Sequence, residues 1–160
     1  MRRHFIFLII PFIFSLDRWT KILIVKNLKF LESINITPFL SIVHTKNYGG
    51  AFGLLSQNKF GNYIFTILPV LIVAVLFYIA LFYRLSLSKS IALLCILSGA
   101  LGNLYDRIFS GFVIDFIDIY YRSYHWPAFN VADISITCGV CLWIFVELRD
   151  SFAKKSHAKC

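Results

Sequence analysis

Tyr63-Ile-Phe-Thr-Ile-Leu-Pro-Val-Leu-Ile-Val-Ala-Val-Leu-Phe-Tyr-Ile-Ala-Leu-Phe-Tyr83 contains no charged side chain. A helix needs about 20 mainly apolar residues to cross a bilayer, and in hydrocarbon a helix satisfies its own backbone along such a run. The stretch therefore reads as a membrane span, and its terminal tyrosines suit the headgroup belt. Working outward, three more runs have this character, over about 4–25, 90–106 and 127–147. The first follows Arg2-Arg3 and resembles a signal peptide. No small-x-small cleavage site closes it and Asp17-Arg-Trp-Thr-Lys21 follows instead, so an uncleaved anchor is expected.

The whole composition agrees. Hydrophobic residues are 59% of 160 and charged residues 15%, against about 45–50% apolar in soluble domains. That excludes a water-soluble domain, a disordered chain and a disulfide-stapled miniprotein. The net charge of +8 fits cytoplasmic loops and lipid headgroups rather than nucleic acid. The length allows one domain, 1–160. Cys138-Gly-Val-Cys141 has redox spacing but lies midway along an apolar run, where packing is the expected role.

The expected fold is a mainly α membrane protein with four transmembrane helices, a small extramembrane β-sheet and an interfacial segment on the outer side. Residues 27–62 are too polar to cross; Phe39-Leu-Ser-Ile-Val-His-Thr45 is strand-like and meets the turn Asn47-Tyr-Gly-Gly-Ala-Phe-Gly53. The aromatic segment 108–126 is expected to lie along the interface. Eight of the 16 basic residues fall on each side of an N-in, C-in bundle. Arg2-Arg3 and the Arg84/Lys89 loop flank spans directly, which places both termini in the cytoplasm.

Polar groups within spans are expensive and mark functional sites. Asp17, Thr20 and Lys21 close the first span, Asn103, Asp106 and Arg107 the third, and Asn130 and Asp133 open the fourth. In an up-down bundle these ends share one side. Asp17 with Lys21, and Asp106 with Arg107, read as neutralising pairs within one helix. Asp133 and Asp115 have no base nearby in sequence. Two such acids at one depth suggest a pair sharing a proton, one ionised to activate water and one protonated to polarise an amide carbonyl. On spacing alone, Asp106, Asp115 or Asp118 could partner Asp133, and an ion-binding, transport or proton-relay role is open. The four histidines are scattered, and neither a zinc constellation nor a cofactor motif is visible.

The chain resembles the lipoprotein signal peptidase family, signal peptidase II. Five motifs match in order: Asp17-Arg-Trp-Thr-Lys21, Asn47-Tyr-Gly-Gly-Ala-Phe-Gly53, Gly99-Ala-Leu-Gly-Asn-Leu-Tyr-Asp-Arg107, Val113-Ile-Asp-Phe116 and Phe129-Asn-Val-Ala-Asp133. The resemblance implies a bacterial cytoplasmic (inner) membrane aspartic endopeptidase that cuts diacylglyceryl-prolipoproteins before the lipidated cysteine. It implies a catalytic dyad of Asp115 and Asp133, with Asn47, Asn103, Arg107 and Asn130 binding substrate. Asp17, Lys21, Gly49 and Asp106 then support the site, and Asp118 is a surface carboxylate. The expected partners are prolipoproteins, membrane lipid and globomycin-like cyclic depsipeptide inhibitors, and the expected state is a monomer without cofactor. Gly50 stands where the family commonly has alanine, and Ser98 where glycine often precedes Gly99.

Overall fold

In the computed structural model, residues 4–49 and 59–157 are described. A short 3-10 turn, His4–Leu8, leads into α1 (Ile9–Asn27), followed by β1 (Ser33–Thr37) and β2 (Leu40–Asn47). Then come α2 (Lys59–Phe82), α3 (Leu87–Ser110), β3 (Val113–Tyr121), β4 (Tyr124–His125) and α4 (Val131–His157). The positions of Gly50 and Gly53, and of Arg2 and Arg3, lie outside the described residues.

Three of the described helices are long and apolar enough to cross a membrane: α2 over Phe65–Phe82, α3 over Leu87–Ser110 and α4 over Val131–Lys154. Helix α1 carries Asp17, Arg18, Lys21 and Lys26 among its 19 residues, which takes it out of that class. Its charge is not spread around the cylinder. Asp17 and Lys21 are buried against neighbouring helices, while Phe12, Leu16, Trp19 and Leu23 face outward.

Helix α3 is central and packs against α1, α2 and α4. Its inner face, including Leu93, Leu94 and Leu97, supplies much of the buried core. Helices in lipid gain little from burying apolar surface, so close approach through small residues does the joining. A Cβ on Gly99 would sit 2.2 Å from the Ala132 carbonyl oxygen, and one on Gly139 2.7 Å from that of Ala92. The α3–α4 seam is thus closed to larger side chains at two levels. Ser98, fully buried beside it, satisfies its hydroxyl by donating to the Leu94 carbonyl at 2.5 Å.

The four strands form one antiparallel sheet in the order β1-β2-β3-β4. Most of 108–126, the segment expected along the interface, is strand, paired to β2 through Thr45↔Asp115 and Asn47↔Val113. Its clustered aromatics resemble a membrane-surface segment, yet Val113–Phe116 is fully buried in the sheet. Gly111, at φ +78°, caps α3 in the left-handed region and turns the chain into β3. The C-x-x-C thiols also differ: Cys138 and Cys141 are free and exposed on the outer face of α4 rather than packed in the core.

Candidate active site

The entry to α4 sets the geometry. Phe129 bridges to Ile117, its carbonyl accepting from the Phe116 and Ile117 amides at 3.0 and 2.8 Å. That pins the residue before Asn130 to β3, two positions from Asp115. Asn130 caps α4: its Oδ1 accepts the Asp133 amide at 3.0 Å, and Asp133 Oδ2 accepts the Asn130 amide at 3.2 Å. This reciprocal capping box satisfies amides that a helix start leaves without partners. A third, Ala132 N–H, donates to Asp17 Oδ1 at 3.0 Å from α1.

Three asparagine amides then surround the two acids. Asp115 Oδ1 accepts from Asn130 Nδ2 at 2.7 Å and Oδ2 from Asn47 Nδ2 at 3.0 Å. Asp133 Oδ1 accepts from Asn103 Nδ2 at 2.7 Å, and the two sides are joined where Asn130 Nδ2 donates to Asn103 Oδ1 at 3.1 Å. Asp115 is 3% exposed. Burial, aided by the Asp133 charge and opposed by the Asn47 and Asn130 amides, pushes its carboxyl from the ordinary 3.8 up to about 6.

Behind the amides lies an ion cluster. Lys21, 1% exposed, donates to Asn103 Oδ1 at 3.1 Å and stands 2.8 Å from both Asp17 Oδ2 and Asp106 Oδ2. Asp106 also pairs with Arg18. The expected Asp106–Arg107 pair within α3 is therefore replaced by pairs to α1, because Asp106 points to the helix interface. Arg107 instead donates to its own helix at Asn103 O, 3.4 Å away, and its Nε is buried with no hydrogen-bond partner. Gly49 Cβ has no room: it would meet the Phe65 ring at 2.4 Å, and φ is +95°. Its amide donates to Asn47 Oδ1 at 2.9 Å, orienting that asparagine toward Asp115.

All ten site residues expected from the sequence are thus in the described part of the chain, and the nine with polar side chains meet at one end of the helices. Asp118 departs from its expected surface role. It is half-buried, accepting from Ser41 Oγ at 2.8 Å and pairing with His125 Nδ1 at 2.9 Å across the sheet, away from the acid pair. Two contributors were not singled out: Arg18, within the quoted Asp17–Lys21 motif, and Thr45, whose Oγ1 donates to Asp115 O at 2.8 Å. Thr45 and Asp115 lie 70 residues apart and meet only through the β2–β3 register, so spacing along the sequence carries no signal that could have found Thr45. Among the described residues, no three His, Cys, Asp or Glu side chains stand together as a metal site.

A family model described as Signal peptidase (SPase) II matches residues 9–149. The lipoprotein signal peptidase of Francisella tularensis subsp. novicida is 39% identical over 152 residues, 93% of this chain and 92% of its own. That of Alteromonas mediterranea is 39% identical over 147 residues, covering 90% and 80%. A solved structure titled as a bacterial membrane enzyme by the in meso method at 2.3 Å resolution superposes with a TM-score of 0.82 at 35% identity, over 93% of this chain and 90% of that one.

Proposed function

Because the chain belongs to the signal peptidase II family, we propose that it is an aspartic endopeptidase of the bacterial inner membrane that removes the signal peptide from diacylglyceryl-modified prolipoproteins, cutting before the lipidated cysteine. The observation that carries the aspartic assignment is the pair Asp115 and Asp133, tied together through Asn130 and Asn103.

In this reading the form of the pair that cleaves holds one proton, on Asp115, whose burial lets it keep that proton up to about pH 6. Asp133 takes a proton from water as the water oxygen bonds to the scissile carbonyl carbon. Asp115 hydrogen-bonds the developing oxyanion. As the C–N bond breaks, the nitrogen of the lipidated cysteine takes the proton back from Asp133. Arg107, with a free Nε, and the exposed Asn47 hold the peptide backbone. Asp17, Lys21, Gly49 and Asp106 act by holding Asn103, Asn47 and the α4 cap in place.

The proposal includes α1 as a fourth span. Asp17 and Lys21 turn inward to α3 and α4 and Arg18 pairs with Asp106, while Phe12, Leu16 and Trp19 face out, so the helix presents hydrocarbon to lipid along most of its length despite its composition. Both termini then lie in the cytoplasm, and the acid pair near the outer leaflet, within one domain that works as a monomer. Globomycin-like cyclic depsipeptides would inhibit by occupying the same cleft. The test is cleavage of a diacylglyceryl-prolipoprotein by the purified protein: wild type is expected to cleave, and Asp115→Asn and Asp133→Asn are expected to be inactive while folded. Activity in either variant would refute the dyad.

A further inference from the structure

On the opposite face of the sheet from Asp115, a groove of about 390 Å³ opens between α1, the end of α3 and strands β2 and β3. Lys46 and Ile114, a register pair, line it, whereas the adjacent pair Thr45 and Asp115 points the other way. Its walls divide by chemistry. Ile22 and Val25 of α1, 43% and 51% exposed, give it an apolar side. Lys26, one helical turn on, and Lys46 give it a basic rim.

These two lysines are not spent on carboxylates. The acid in the groove, Asp106, is already held by Lys21 and Arg18. Lys46 Nζ instead rests over the Phe112 and Phe30 rings, 4.6 and 5.1 Å from their centroids, and Lys26 has no ion pair among the described residues. Cations beside an exposed apolar wall, at the end of a helix that leaves the bundle for the sheet, match an amphiphile with an anionic head. We infer that the groove binds an anionic phospholipid, its phosphodiester between Lys26 and Lys46 and an acyl chain along Ile22 and Val25. Free phosphate shares the head chemistry but has no use for the apolar wall. A zwitterionic lipid carries its own cation, which the lysines repel.

The inference needs a membrane protein but not a protease, and a binding readout separates the two. The full chain, purified in detergent, is titrated with phosphatidylglycerol, phosphatidylcholine or inorganic phosphate, and retained lipid is counted by native mass spectrometry. Wild type should prefer phosphatidylglycerol to phosphatidylcholine by about ten-fold, the scale of one to two basic side chains near an anionic lipid. Lys26→Gln/Lys46→Gln should lose that preference, and Lys26→Arg/Lys46→Arg should keep it, which shows that charge rather than folding is lost. Inorganic phosphate should not displace the lipid. No preference in wild type, an unchanged preference in the glutamine variant, or displacement by phosphate alone would overturn the inference.

Discussion

At the scale of single residues, the site rests on buried charges that are balanced against each other. Lys21 has three oxygen partners and is 1% exposed. Removing it leaves Asp17 and Asp106 as buried charges with one partner fewer, a change that costs about 3–5 kcal/mol for such pairs. Lys21→Met is therefore expected to lower Tm sharply and to abolish cleavage together, since Asn103 loses its anchor; a thermal melt beside an activity assay checks both. Asp115 makes a prediction with a definite sign. Its folded-state carboxyl titrates near 6 against an ordinary 3.8, so the folded protein holds that proton more tightly than the unfolded chain. The resulting contribution to stability is present at low pH and is lost as pH rises from about 4 to 6. Any hydrogen-bond cost of Asp115→Asn is the same at each pH. The stability of wild type relative to that variant should thus fall across this window and level off above it, as read by melts at a series of pH values. A constant difference would contradict the assignment.

At the scale of elements, the sequence was most informative where one helix carries the signal. The apolar runs are legible because a bilayer demands their length, and Asp17 with Lys21 is legible because i and i+4 share a face. What joins different elements was not. The ion pairs of Asp106 with Lys21 and Arg18 depend on how α1 and α3 rotate against each other, and β3 was hidden because its partner strand lies 68 residues earlier in sequence at Asn47↔Asp115 contact. Two glycines separate packing from backbone freedom. Gly99→Val should drive a side chain into the Ala132 carbonyl and spread the α3–α4 seam, with a loss of about 3 kcal/mol, the upper end for overpacked cores. Gly111→Ala meets nothing within 4 Å and should cost only the left-handed φ, about 1 kcal/mol. Melting temperatures of the two variants, side by side, give the order.

At the scale of the whole molecule, the helices gather the buried charges Asp17, Lys21 and Asp106, with Asn103 and Asn130, at one end of the bundle, next to the sheet that carries Asp115. Such an arrangement suits a substrate that arrives laterally from lipid and a water that arrives from outside. The proposed orientation can be measured. Ser123 sits at the exposed β3–β4 turn, so in intact cells a Ser123→Cys protein should react with a membrane-impermeant maleimide. Cys138 and Cys141, exposed on the apolar stretch of α4 that the proposal sets in lipid, should not. Protection of Ser123→Cys in intact cells with labelling only after lysis would invert the topology.

The central claim is that Asp115 and Asp133 together cut a lipidated precursor. The direct measurement is a gel-shift assay of diacylglyceryl-prolipoprotein with purified wild type, Asp115→Asn and Asp133→Asn, each checked for folding by its melt. Cleavage by wild type alone is the expected result. Cleavage by either asparagine variant, or none by a well-folded wild type, would contradict the account.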